Sequence, residues 1–127
     1  MANLQVLVVD DDEVIRLLCA DLLSDMGYEV TCAADGQEAV SHLKRAVFDL
    51  VLLDLDLPLL RGQEVLQIMR TELASEALVI IMSAWISEDT RRFGEKYGVL
   101  AYLEKPFDLD DLTQLLQELP QRPKRPK

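Results

Sequence analysis

Short apolar runs, each followed by polar residues, constrain the fold of this chain more than any other feature. Four such runs and the residues after them are Leu4–Val9 before Asp10 and Asp11, Leu50–Leu53 before Asp54, Leu78–Met82 before Ser83, and Ala101–Leu103 before Glu104, Lys105 and Pro106. Short runs that alternate with helical patterns predict parallel strands joined by helices. Ligands of such open sheets bind beyond the carboxyl ends of the strands. We therefore expect these polar side chains to converge at one edge of the sheet.

The segments between these runs carry helical patterns. In the first, which we expect to begin near Asp12 or Glu13 and to stop at Gly27, a single apolar face is predicted from Val14, Leu17, Leu18, Leu22 and Met26. The other expected elements are the alternating strand Tyr28–Ala33 and the helices Gln37–Arg45, Gln63–Leu73, Glu88–Tyr97 and Leu109–Leu119. The uniformly apolar run Leu50–Leu53 predicts a strand buried on both faces. This pattern predicts an α/β fold but leaves the order of the strands open.

Composition narrows the class of protein. The chain has 127 residues, enough for one domain with a real core, and 50% of them are hydrophobic. A net charge of -10 argues against nucleic-acid binding by the main body, because phosphate contacts need clustered Lys and Arg. No apolar run approaches the roughly 20 residues that cross a bilayer, and no signal-peptide pattern is visible. Cys19 and Cys32 fit no metal or redox spacing, so we expect both to be small buried residues in a reducing cytosol.

The end of the chain differs in composition from the rest. Residues 120–127 are rich in Pro, Lys and Arg and lack apolar side chains that could pack. We expect residues 1–119 to form the domain and residues 120–127 to be a Pro-rich basic tail or the truncated start of a linker. A contact of this tail with nucleic acid or a membrane is the less favoured alternative.

The residues at the strand ends suggest chemistry at a phosphoryl group. Asp10, Asp11 and Asp54 would repel one another unless a cation lay among them, and carboxylate oxygens suit Mg²⁺. With that charge neutralised, Asp54 could attack phosphorus and become an acyl phosphate. Ser83 could donate to a phosphoryl oxygen, and Lys105, before a candidate cis proline, could neutralise it. Each feature has an ordinary alternative, since an acidic run suits a helix N-terminus and Asp54 could be a loop aspartate.

Four motifs, taken in order, resemble the receiver domain of two-component response regulators. They are Val8-Val9-Asp10-Asp11, Asp54 with Pro58, Ser83-Ala84, and Lys105-Pro106-Phe107. Each motif alone is weak, whereas all of them in this order and at this spacing are specific, and the resemblance runs from Leu4 to Leu119. It implies a (βα)5 doubly wound, flavodoxin-like three-layer sandwich whose five-stranded parallel sheet has the order 2-1-3-4-5.

The resemblance also implies a role for each residue of the cluster. By position, Asp54 is similar to the phosphoacceptor. The implied magnesium ligands are Asp11 and Asp54 directly, Asp10 through water, and Asp56 through its backbone carbonyl. The implied switch residues are Ser83 and Tyr102, with Ala84 leaving room for the phosphoryl group and Lys105 binding it. Phosphorylation would draw Ser83 inward, let Tyr102 fill the vacated space, and change the surface of the fourth helix, fifth strand and fifth helix.

The function implied by the resemblance is a phosphorylation-activated signalling switch, which is not an enzyme apart from assisting its own phosphorylation and dephosphorylation. The expected donor is a sensor histidine kinase or a histidine phosphotransfer protein, and the expected cofactor is Mg²⁺, with Mn²⁺ as the alternative. The signal would pass to a downstream protein or to an output domain outside this sequence. We expect a cytoplasmic monomer or weak homodimer, without membrane association or direct nucleic-acid binding by the domain.

Two other functions stay open on the sequence alone. Leu53-Asp54-Leu55-Asp56 resembles the Asp-x-Asp motif of haloacid-dehalogenase-type phosphatases and phosphotransferases, which would use Asp54 and Asp56. That motif normally follows the first strand, however, and such a mechanism has no place for Asp10 and Asp11. The third function is a docking module that is not phosphorylated, and the complete set of site residues argues against it.

Four residues carry weaker signals. Arg61 stands where receivers usually have an acidic residue, and either a partner contact or a solvated side chain would suit it. Asp56 and Trp85 are candidates for setting the lifetime of the acyl phosphate, Asp56 by acting on water and Trp85 by shielding the site. His42 is the one histidine of the chain and is far in sequence from the site, so we expect it at the surface.

Overall fold

Strands and helices alternate strictly in the computed structural model, which describes residues 4–119. The strands are β1 (Gln5–Val9), β2 (Glu29–Ala33), β3 (Leu50–Asp54), β4 (Leu78–Ser83) and β5 (Ala101–Glu104). The helices are α1 (Glu13–Asp25), α2 (Gly36–Arg45), α3 (Gly62–Thr71), α4 (Glu88–Lys96) and α5 (Leu109–Gln117). Within the described residues, no helix is long and apolar enough to cross a membrane. The expected tail, residues 120–127, lies outside the described residues.

All strand pairs in the sheet are parallel, in the order β2-β1-β3-β4-β5. This confirms the order implied by the resemblance, with β1 and β3 at the centre. In register, Val9 lies beside Leu53, and Asp54 lies beside Met82. The carboxyl ends of β1, β3, β4 and β5 therefore meet at one edge, which brings the polar residues after them together.

The sheet separates two apolar cores, one on each face. Alternate residues of the central strands point to opposite sides, so Leu7, Val51 and Ile81 pack with α2 and α3, whereas the neighbouring Val8 and Leu52 pack with α1 and α5. Every residue of β3 is buried, as the uniformly apolar run predicted. Each fully buried Leu side chain contributes roughly 1.5–3 kcal/mol to folding. These two cores make β3 a rigid base for the acidic residue at its end.

The apolar face predicted for α1 is wrong in part. The helix buries Cys19 and Leu23, whereas Val14, Leu17 and Leu18 are 61%, 58% and 46% exposed. Apolar side chains cover more than half of this helix, so periodicity alone could not show which stripe meets the sheet. The structure packs the stripe through Cys19 and Leu23 and leaves an apolar stripe beside it in solvent. The expected burial is confirmed for Cys19, but Cys32 is only partly buried because it lies on β2 at the edge of the sheet.

Local hydrogen bonds set the helix ends. Asp35 accepts from the Glu38 backbone N–H, so α2 begins at Gly36, one residue earlier than predicted. Such an N-cap contributes about 1 kcal/mol. Helix α3 ends at Thr71 instead of Leu73, because the backbone N–H groups of residues 72 and 73 both donate to Ile68 O and close a turn. Helices α4 and α5 also end one or two residues before their predicted bounds, at Lys96 and Gln117.

Candidate functional site

Three carboxylates meet where β1 and β3 end. Asp10 directly follows β1, Asp11 comes next, and Asp54 is the last residue of β3. One oxygen from each lies within 4.8 Å of the others. Asp10 and Asp54 are 0% and 1% exposed, whereas Asp11 is open to solvent. The cluster therefore combines two buried ligand groups with one that faces water.

The protein backbone fixes one oxygen of each buried carboxylate. The backbone N–H of Asp12 donates to Asp10 Oδ1 at 2.9 Å, and that of Asp56 donates to Asp54 Oδ1 at 3.0 Å. The guanidinium of Arg16 donates to the Asp10 carbonyl at 2.8 Å and secures the same turn. These bonds orient both side chains, so that each presents its Oδ2 to the centre of the site.

Lys105, which directly follows β5, completes the cluster. Its Nζ lies 2.7 Å from Asp10 Oδ2 and 3.3 Å from Asp54 Oδ2. Its backbone N–H donates to Ser83 O at 2.7 Å, and the bond to Pro106 is cis, as the sequence suggested. Burial lowers the pKa of Lys105, but the hydrogen bond to Asp10 and the charges of Asp54 and Asp10 outweigh it and raise that pKa overall. The side chain is therefore a fixed positive charge at the site.

Burial raises the pKa of Asp54 above its ordinary value. The hydrogen bond from the Asp56 backbone acts in the opposite direction, the Asp10 charge raises the pKa further, and Lys105 lowers it. The ionised carboxylate is thus disfavoured overall, although it is partly paired. A further cation or an electrophile would relieve this excess negative charge. Hard divalent cations bind to oxygen sets like this one while keeping several waters.

Ser83 and the residues after it form the β4 side of the site. The hydroxyl of Ser83 is buried and lies 3.3 Å from Trp85 O and 3.5 Å from Asp56 Oδ2. The Trp85 backbone N–H also donates to this hydroxyl at 3.4 Å. Ala84 and Trp85 are exposed, Trp85 by 75%. The Ser83 hydroxyl is therefore held by the backbone of the β4–α4 loop.

Tyr102 is the predicted site residue that the structure keeps apart from the carboxylates. Its hydroxyl donates to Arg91 O at 3.2 Å, so the ring rests against α4. Arg61 is exposed at the N-cap of α3, where its backbone N–H donates to Glu64 Oε1 at 3.4 Å. His42 lies on α2 and is partly exposed.

Three residues that shape the site carry little or no signal in the sequence. Arg16 carries no sequence signal, because an arginine on a helix is usually solvated. Gly62 begins α3 directly against β3, and a Cβ there would overlap the Asp54 carbonyl. Gly94 lies inside α4 against the Tyr102 ring. A glycine inside a helical pattern is the signal that could have drawn attention to Gly94.

Comparison with known proteins gives the class of protein that this fold and site define. Residues 6–117 match the family described as "Response regulator receiver domain". The chain belongs to this family, whose members are phosphorylation-activated switches of two-component systems and generally signalling modules without enzymatic activity of their own. The resemblance to haloacid-dehalogenase-type phosphatases is not favoured.

Individual proteins of known sequence or structure are similar to most of this chain. It is 35% identical over 112 residues to "Sporulation initiation phosphotransferase F" of Bacillus subtilis, covering 88% of this chain and 90% of that protein. CheY4 of Vibrio cholerae superposes with a TM-score of 0.84 at 32% identity, covering 91% and 98% of the two chains. TrrA of Thermotoga maritima, in complex with Mg²⁺ and BeF, superposes with a TM-score of 0.76 at 30% identity, covering 91% of this chain and 97% of that chain. Against several matching transcriptional regulators, the chain spans only 46%, 51% and 25% of the relative.

Replacing Asp54 by Asn keeps the shape of the side chain and removes its charge. We expect Asp54→Asn to unfold at higher urea concentration than the parent at neutral pH without divalent cations, with a gain of about 1 kcal/mol. Because the folded-state pKa of Asp54 is raised, ionisation destabilises the parent above that pKa. The gain should shrink as the pH falls through the folded-state pKa and vanish below the unfolded value of about 3.9.

The matched control is Asp56→Asn, which removes an exposed carboxylate from the same loop. Its stability should stay within about 0.5 kcal/mol of the parent. A loss of stability in Asp54→Asn at neutral pH would contradict the account, because it would mean that the pairing with Lys105 outweighs the burial of the charge.

Proposed function

We propose that Asp54 is the phosphoacceptor of this receiver. The observation that carries the proposal is the position of its buried carboxylate, which shares Lys105 with Asp10 and lies at the end of the central strand. An Asp54 oxygen attacks the phosphorus of a phosphohistidine. The new O–P bond forms as the P–N bond breaks, and the imidazole leaves with the electron pair of that bond. Attack by water later releases phosphate and restores the carboxylate, so the domain assists both reactions.

The carboxylate cluster fits a divalent cation, and we assign Mg²⁺ to it, with Mn²⁺ as the alternative for the same oxygen ligands. Asp11 and Asp54 would coordinate directly. Asp10 already accepts from the Asp12 N–H and pairs with Lys105, which favours a contact through water. The Asp56 backbone carbonyl is the remaining proposed ligand. The cation would neutralise charge on the carboxylates and on the transferred phosphoryl oxygens.

The positions of Ser83 and Lys105 support roles in binding the phosphoryl group. Lys105 would move its contact from Asp54 to a phosphoryl oxygen, and Ser83 would turn from the β4–α4 loop to donate to another. A hydrogen bond to a charged group contributes roughly 1.5–3 kcal/mol, which would shift two states by about ten- to a hundredfold if it formed in only one of them. Tyr102 would then leave α4 and occupy the space near Ser83, changing the α4–β5–α5 surface.

The exposed stripe of α1 supports a docking surface for the phosphoryl donor. Leu18 lines a groove of about 570 Å³ between α1 and the β5–α5 loop, and Val14 and Leu17 are exposed on the same helix. The groove is lined in part by Lys105 and Phe107, so a partner seated there would reach Asp54. We propose that an apolar helix of a histidine kinase or histidine phosphotransfer protein binds this stripe. The acidic run beside it would favour basic residues around the apolar face of that helix.

The wider setting follows the family. The output is a downstream protein or an output domain outside residues 1–119, with residues 120–127 as a tail or linker and the domain as a monomer or weak homodimer. A cytoplasmic location suits the free thiols of Cys19 and Cys32.

Phosphoryl transfer from acetyl phosphate tests the assignment of Asp54. With Mg²⁺ present, we expect intact-protein mass spectrometry to show one added phosphoryl group, and peptide mapping to place it on Asp54. Asp54→Asn should gain none, because it lacks the nucleophilic oxygen, whereas the control Asp56→Asn should still be modified. Modification of Asp54→Asn to the parent level would contradict the proposal. Repeated turnover of a phosphate ester by the parent would instead support the phosphatase alternative.

A charge placed on α1 tests the docking surface. We expect Leu18→Glu to slow transfer from phosphorylated histidine phosphotransfer domains by about tenfold or more, because a buried unpaired charge is costly. Transfer from acetyl phosphate should be unchanged, since this small donor needs no docking. Ser24→Glu, at the exposed far end of the same helix, is the control and should leave both rates unchanged. Equal rates for Leu18→Glu and the parent with the protein donor would rule out this surface.

The lifetime of the acyl phosphate tests Trp85. Its backbone contacts the Ser83 hydroxyl and its side chain is exposed, so the ring could turn over the phosphoryl group and exclude water. We expect Trp85→Ala to lose its phosphoryl group about threefold faster than the parent, as measured by phosphate release after removal of the donor. Leu59→Ala, which trims another exposed apolar side chain, in the β3–α3 loop, is the control. An unchanged rate in Trp85→Ala would count against shielding, and the loss would then be governed by Asp56 or by the site itself.

A further inference from the structure

Gly94 is an unusual residue for its position. It lies in the last turn of α4, inside a helix that glycine destabilises relative to alanine, and it is the one buried residue of that helix. The rest of α4 is mostly polar, and its apolar packing comes from Phe93, which packs against the core on the α3 side of the sheet. A glycine in such a place is favoured where another group comes too close for a Cβ. The group that comes close here is the side chain of Tyr102.

The Tyr102 side chain fills the space that a Cβ of Gly94 would need. An added Cβ would lie 2.9 Å from Cζ and 3.2 Å from Cε1 of the ring, and closer still to the hydroxyl. The hydroxyl donates to Arg91 O at 3.2 Å, one helical turn before Gly94. The Arg91 guanidinium lies 4.9 Å from the ring centroid, in the geometry of a cation–π contact. Arg91 and Gly94 together thus form a seat for Tyr102 on α4.

We propose that Gly94 is a positioning residue that holds the receiver in its resting state by seating Tyr102 against α4. This inference rests on the proposed function, in which Tyr102 leaves α4 when Asp54 is phosphorylated. The contacts with Arg91 and Gly94 exist only while the ring is seated. They therefore stabilise the resting state and oppose activation. Binding of the phosphoryl group must supply the free energy that is lost when the ring leaves the seat.

The contacts that hold α4 explain how movement of the Tyr102 ring can change the exposed surface of this helix. At its C-terminal end, the Arg70 guanidinium donates to Tyr97 O at 2.7 Å and to Gly98 O at 3.4 Å, which ties that end to α3. The turn before that end, from Arg91 to Gly94, contacts the Tyr102 ring and packs on the core through Phe93. Departure of the ring would remove the first of these contacts while the C-terminal end stayed tied, so α4 would shift about that end and change the exposed face around Arg91.

The effect of the seat on the resting state can be measured without a protein partner, through the affinity of the domain for a small ligand that favours the activated state. Beryllofluoride with Mg²⁺ mimics an acyl phosphate and should bind the activated state more tightly. A change that destabilises the seated state alone must then raise the apparent affinity for beryllofluoride. Gly94→Ala is such a change, because its methyl group competes with the ring for the same space.

The test is a beryllofluoride titration of Gly94→Ala and the parent, followed by Trp85 fluorescence at saturating Mg²⁺. We expect the affinity of Gly94→Ala to rise by about fivefold or more, the lower end of coupling between two sites. Arg91→Ala keeps the carbonyl acceptor and loses the contact with the ring, and should raise the affinity by roughly two- to fivefold. The affinity for Mg²⁺ alone should not change in either variant.

A double-mutant cycle separates the seat from a general effect on the helix. In a Tyr102→Ala background no ring competes for the space, so adding Gly94→Ala should not raise the affinity further. If Gly94→Ala raised the beryllofluoride affinity equally in the parent and in the Tyr102→Ala background, the proposal would be overturned, because the effect would then arise from helix propensity. Unchanged affinity in both Gly94→Ala and Arg91→Ala, with the parent binding normally, would overturn the seat alone. Absence of beryllofluoride binding by the parent would overturn the proposed function, and this inference with it.

Discussion

The contact between one ammonium group and two buried carboxylates is the interaction on which the rest of the site depends. Lys105 Nζ reaches both Asp10 and Asp54, which lie at the ends of two neighbouring strands. Two buried negative charges would destabilise the fold without this partner, and one positive charge does not neutralise both of them. The site is left with excess negative charge in a fixed geometry. This charge suits a divalent cation, and in the proposed function the phosphoryl group binds beside that cation.

The cores on both faces of the sheet make this charge arrangement tolerable. Because β3 is buried along its whole length, Asp54 cannot withdraw toward solvent to relieve the repulsion. Gly62 lets α3 start directly against the Asp54 backbone and tightens the same corner. Apolar packing thus holds a destabilising charge in place, a common arrangement at functional sites. The less firmly packed α4 is the element most free to respond when the charge changes.

Features that depend on neighbouring residues in the sequence were predictable, whereas features that depend on contacts between distant segments were not. The strand ends carrying Asp10, Asp54, Ser83 and Lys105 were predictable, because apolar runs and their following residues are local patterns. The buried stripe of α1 was not, since Leu17 and Cys19 are both apolar and only the sheet decides which faces inward. The seat of Tyr102 was not predictable either, because it joins α4 and β5 through a glycine that has no side-chain signal. Strand order came from the resemblance and not from the pattern itself.

The most direct test of the central claim is a two-step titration of the parent and Asp54→Asn, with Trp85 fluorescence and calorimetry as independent readouts. The account predicts that Mg²⁺ binds the parent and perturbs Trp85, and that beryllofluoride then causes a further change that requires both Mg²⁺ and Asp54. In Asp54→Asn the second change should be absent. If the parent bound neither ligand by either readout, or if Asp54→Asn bound beryllofluoride as the parent does, Asp54 would not be the group on which this site acts.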